Sequence, residues 1–105
     1  MTTTVGSRTG LQPRIGGPYS YRPLGYQQIT SLSAATLLAP PAGATMALIN
    51  VSGAAIRYRD DGVAPTSSLG MPVGTNEQFQ YSGDLTGVEF IQQGLSATLD
   101  ILYYM

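Results

Sequence analysis

Asp60 and Asp61 are adjacent acids, and Asp84 is a third carboxylate among turn-forming residues. Paired carboxylates can hold Ca²⁺ or cleave a glycoside. Neighbours on a strand point to opposite faces, so Asp60 and Asp61 converge poorly. Asp61 also stands before Gly62, an order that tight turns favour. The spacing lacks the alternating oxygen ligands of a calcium loop. Arg57 and Arg59 share one face of a strand, about 7 Å apart. They can grip phosphate or a partner's carboxylates, or pair with Glu77 or Glu89 across a sheet. Tyr58, Tyr81, Tyr103 and Tyr104, with Tyr19, Tyr21 and Tyr26, could stack against sugars, yet Tyr58 and Tyr81 fall in phase with core residues. Ser67 and Ser68 have no His to activate them. Gly16-Gly17-Pro18 is preceded by no strand and followed by no Lys, so it is no phosphate loop.

The missing residue types exclude more. The chain has no His, Cys or Trp, and all five of its basic residues are Arg. The commonest general base, the thiol nucleophile, Schiff-base chemistry and Cys-based zinc sites go with them. No constellation for catalysis, metal or cofactor remains, and the chain is expected not to be an enzyme. At 105 residues it is one domain. Charged residues are only 10% of it, against about 25% in average soluble domains. So little charge suits a surface occupied by partners, copies of the chain itself included, as a dimer or trimer. No apolar run reaches the roughly 18 residues needed to span a bilayer, so no membrane partner is expected.

Net charge is −1, but it is unevenly placed. Residues 1–26 hold Arg8, Arg14 and Arg22 and no acid. The remainder sets Arg57 and Arg59 against six acids, a net −4 that argues against a nucleic-acid surface. Residues 1–26 also contain five Gly and three Pro, which oppose helix and continuous strand. They are read as an extended interaction arm. Arg8, Arg14, Tyr19, Tyr21, Arg22 and Tyr26 are its expected contacts, because Arg and Tyr are enriched at interfaces. Arg57 and Arg59 are further candidates for binding a protein partner.

From Gln27 the pattern changes. Short β-prone runs alternate with turn signals every 8–12 residues or so, which predicts a sandwich or barrel. Strands are expected at 28–31, 45–52, 55–60, 77–82, 88–92 and 96–104, with 71–73 as a short edge segment because of Pro72. Residues 33–38 are read as a loop or a single turn stopped by Pro40-Pro41. In 96–104, Ala97, Leu99, Ile101 and Tyr103 take the core face, leaving Asp100, Leu102 and Tyr104 on the other. The expected fold is all-β: a small antiparallel β-sandwich of jelly-roll type over residues 27–105, with the arm before it.

The string RYRDDGVAPTSSLGMPV (57–73), then YSGDLTGVEFI (81–91) and the final LYYM, resembles a group of small structural proteins of tailed bacteriophages. Those sequences similarly run from an ITSLSAAT-like start through an ALINV-like strand into RYRDDG, APT and GMP. The resemblance covers about residues 28–105 and leaves the arm unmatched. It implies a virion component, assembled in the host cytoplasm, and a capsid decoration (cement) protein whose partner is the major capsid protein. A head–tail junction, tail or fibre position is the structural alternative. A host-surface carbohydrate-binding module is the alternative from another class.

Overall fold

The computed structural model describes residues 21–105, and Arg8, Arg14 and Tyr19 lie outside the described residues. Eight strands follow in chain order: β1 (Pro23–Ile29), β2 (Thr36–Leu37), β3 (Met46–Ser52), β4 (Ile56–Arg59), β5 (Met71–Val73), β6 (Gln78–Tyr81), β7 (Glu89–Gln92) and β8 (Thr98–Tyr104). They form two four-stranded antiparallel sheets, in the orders β1-β8-β3-β6 and β2-β7-β4-β5. The first strand pairs with the last, the second with the seventh, the third with the sixth and the fourth with the fifth. This is a long hairpin rolled up on itself, the jelly-roll sandwich expected from the strand and turn pattern.

Alternation dictates which residues meet between the sheets. The first sheet sends in Ala47, Ile49 and Val51 from β3 and Leu99, Ile101 and Tyr103 from β8, all of them buried. Ile56 and Phe90 meet them from the second sheet, fully buried, with Val73 beside them. Each full burial of a Val, Leu, Ile or Phe side chain contributes roughly 1.5–3 kcal/mol before chain entropy is set against it. Leu32, Leu38, Leu85 and Val88, from the connections, seal the rim. Tyr58 bridges the layers: its ring stacks on Phe79 at 5.6 Å, tilts against Phe90 at 5.7 Å and meets Tyr81 edge-on at 6.2 Å.

Two segments depart from the expectation. β1 begins at Pro23, inside the stretch read as arm, so Tyr26 belongs to a sheet. Pro23 is tolerated because it opens an edge strand, and Gly25 sits where the pairing with β8 shifts register. Gln27 secures this strand: its Oε1 accepts from the Tyr103 hydroxyl at 2.5 Å and from the Ala39 amide at 3.1 Å. Residues 33–38 hold a two-residue strand, β2, rather than only a turn. Its pairing with β7 sets Thr36 opposite Phe90 and Leu37 opposite Glu89. Met71–Val73 is the edge strand expected from Pro72.

The turns use the residues their dihedrals demand. Gly53 ends β3 with φ +82° and Gly62 follows β4 with φ +85°, both in the left-handed region. A Cβ on Gly53 would collide with the Ser96 carbonyl oxygen, whereas one on Gly62 would meet open space. Asp84 Oδ1 accepts from Thr86 Oγ1 at 2.7 Å and from the Thr86 amide at 3.1 Å. Those bonds hold the carboxyl below its usual range. The pair of glycines yields a prediction. Gly62→Ala meets only the backbone penalty, about 1 kcal/mol. Gly53→Ala adds a backbone clash and loses about 2–3 kcal/mol. Urea unfolding midpoints of the two variants check the difference.

Candidate interaction surface

The residues that carry the RYRDDG…GMP string fold into one unit: β4, the loop that follows it, and β5. Ile56 and Tyr58 point into the sandwich, so Arg57 and Arg59 point out from it. Arg57 Nη1 donates to the Gly70 carbonyl at 2.9 Å. A Cβ on Gly70 would press on the Arg57 stem at 3.2 Å, so only glycine lets the loop lie on that arginine. The Arg57 Nε is buried and has no hydrogen-bond partner among the described residues. Arg57 therefore acts largely as a prop beneath the loop.

Arg59 makes a two-pronged pair with Asp61, Nε to Oδ1 at 3.0 Å and Nη2 to Oδ2 at 2.5 Å. The pairing lowers the Asp61 pKa and raises that of Arg59. Both groups are open to solvent, so the pair adds little stability. The expected pairing with Glu77 or Glu89 is not made among the described residues. Glu89 stands opposite Arg59 in the ladder, but Asp61 matches the guanidinium fork. Glu77 instead accepts from the Gly74 amide at 2.8 Å and closes its own turn.

Asp60 turns the other way. Its Oδ2 accepts from the Tyr81 hydroxyl at 2.6 Å. The adjacent acids thus serve separate partners, Asp84 serves a third, and no group of three metal-ligating side chains converges among the described residues. The loop is closed further on by Thr66 and Leu69, whose backbones bond to each other in both directions. This end also displays apolar side chains: Val63 is 53% exposed, Leu69 61% and Met71 60%. A cleft of about 290 Å³ lies between Arg59, Asp60, Asp61, Leu69, Gly70 and Met71.

The arm candidates within the described residues lie on the other layer. Arg22 pairs with Met105 through both backbone groups, and Tyr21 meets Tyr104 edge-on at 6.5 Å. Tyr26 is exposed on the outer face of β1, and its hydroxyl donates to Asp100 Oδ1 at 2.6 Å. That hydrogen bond raises the Tyr26 pKa. The structure therefore does not bring Tyr21, Arg22 and Tyr26 together with Arg57 and Arg59. Strand phase alone places Asp100 and Leu102 on the outside of β8. Their neighbours Gln28, Leu48, Asn50 and Gln78 depend on cross-strand register, which the sequence does not spell out.

No protein-family model, curated protein or solved structure matches the chain.

Tyr81 gives a pH prediction. Burial, aided by the Asp60 bond, pushes its phenol up to about 12 from 10.0. A group whose pKa rises on folding stabilises fully below its unfolded value and loses that contribution as pH climbs through the folded one. Stability is expected to fall from about pH 10 toward pH 12 as Tyr81 loses its protection. Tyr81→Phe removes this part of the alkaline fall and costs about 1–2 kcal/mol at neutral pH, where Asp60 loses its donor. Urea midpoints measured across the alkaline range for both proteins check it.

Proposed function

We propose that this chain is a non-enzymatic structural protein of a bacteriophage virion, a capsid decoration or cement protein that bridges and stabilises major capsid protein subunits. The observation that carries the reading is the folding of the RYRDDG…GMP string, on which the resemblance rests, into a closed loop unit. Arg57, Arg59 and Asp61 are engaged within the unit and Asp60 with Tyr81 of β6, and Val63, Leu69 and Met71 are left facing out. A surface of this kind suits contact with another protein more than chemistry on a small molecule. The mechanism is interfacial: many copies each bury area against neighbouring shell subunits, and symmetry multiplies the gain.

Residues 1–22 supply the second contact. Arg8, Arg14 and Arg22 can pair with carboxylates of the major capsid protein. Tyr19 and Tyr21 add large area at small entropy cost. Tyr26, held in β1, serves the body of the domain.

Two measurements test this reading. Quantified against the major capsid protein in purified particles, the chain is expected in near-stoichiometric amount. A few copies per particle would move it to the head–tail junction, tail or fibre, and absence would end the virion reading. Removing residues 1–20 is expected to leave the urea midpoint unchanged while abolishing binding to particles that lack the chain. Removing residues 1–26 takes away much of β1 as well and is expected to lower the midpoint. Full occupancy by the shorter truncation would refute the arm.

A further inference from the structure

The outer face of the β1-β8-β3-β6 sheet is built of rows that run across all four strands. One row is Gln28, Asp100, Asn50 and Gln78; the next is Tyr26, Leu102, Leu48 and Gln80. Directly opposed side chains in such rows stand about 5 Å apart, so each row spans about 14 Å. The first row contains only flat amide and carboxylate groups. The second supplies an aromatic ring and two leucines beside them. Asp100 is the only charged group in either row. It is oriented by two donors, the Tyr26 hydroxyl at 2.6 Å and Gln28 Nε2 at 2.9 Å, and both use Oδ1. No donor among the described residues is bonded to Oδ2. A cleft of about 220 Å³ opens here, lined by Tyr26, Leu48, Asn50, Gln78, Asp100 and Leu102.

We infer that this cleft is a binding site for a neutral saccharide. A carboxylate only accepts hydrogen bonds, whereas an amide both donates and accepts. Asp100 between Asn50 and Gln28 therefore offers complementary partners to hydroxyls on adjacent carbons of a sugar ring. The C–H face of such a ring is apolar and fits against Tyr26, Leu48 and Leu102. Charge narrows the ligand class. With one carboxylate and no cation in the rows, the face repels sulfated, phosphorylated or acidic sugars and leaves neutral ones. Size narrows it too: the cleft is smaller than the roughly 300–1,000 Å³ of drug-sized pockets, which suits one or two sugar units held at about millimolar affinity. The site lies on the layer opposite the RYRDDG…GMP unit, so it could be occupied while that unit is engaged.

The test uses the full chain with the methyl glycosides of glucose, galactose and mannose, and a sulfated disaccharide as the anionic probe. Binding is read by saturation-transfer NMR. At least one neutral glycoside is expected to bind and the sulfated probe to fail. Asp100→Asn and Asn50→Ala are each expected to weaken binding by about tenfold. Leu69→Ser, in the other cleft, is expected to bind as the parent does, and thermal midpoints confirm that all variants fold. Three results would overturn the inference. One is no neutral glycoside bound at about 10 mM. Another is undiminished binding in both cleft variants. The third is self-association, seen by light scattering, that Leu102→Arg abolishes; the face would then be a contact between copies. Each of these leaves the particle stoichiometry untouched, so the virion reading stands or falls separately.

Discussion

The packing of β3 and β8 against the opposite sheet governs the rest of the molecule. These strands are the two inner members of their sheet, and each buries alternate residues against Ile56 and Phe90. Because side chains alternate strictly, the burial of Ile49, Val51, Leu99 and Ile101 fixes what faces outward. Leu48, Asn50, Asp100 and Leu102 have no other place to go. A slip of one residue would exchange the core with the surface, at the cost of most of the apolar burial. The outer rows are therefore as well determined as the core, although nothing in the described structure packs over them.

Polar groups then fasten strands that packing alone leaves loose. Gln27 joins β1, the loop after β2 and the Tyr103 hydroxyl through one carbonyl oxygen. Asp60 ties the start of the long loop to Tyr81, whose ring belongs to the aromatic cluster between the sheets. Arg57 props the far end of the same loop at Gly70. The exposed apolar tip is thus supported from the core outward.

Strand phase was legible wherever apolar and polar residues alternated cleanly. The core face of 96–104 and the inward pair Ile56 and Tyr58 follow from period two alone, whereas 45–52 carries apolar residues on both faces and only packing decides which of them is core. β1 was less legible, because its Pro and Gly read locally as breakers while an edge strand tolerates both. β2 is two residues long and exists only because β7 is there to pair with it. The partner of Arg59 is hidden from strand pairing for a related reason: a carboxylate two residues along the chain has a better geometry than the cross-strand Glu89. The saccharide cleft is the least legible feature. Its residues come from four strands spread from Tyr26 to Leu102, and only register aligns them.

The ladder between β1 and β8 also decides how the domain would respond to tension. Arg22 and Met105 form its outermost rung, followed by the pairing that runs to Ile29 and Leu99. A pull on the chain at Tyr21 directed across the sheet would load that rung alone and peel β1 away one pair at a time. A pull along the strand axis would load the whole ladder in shear, and its bonds would have to fail together. An N-terminal tether running parallel to β1 would therefore hold far more force than one leaving at a right angle.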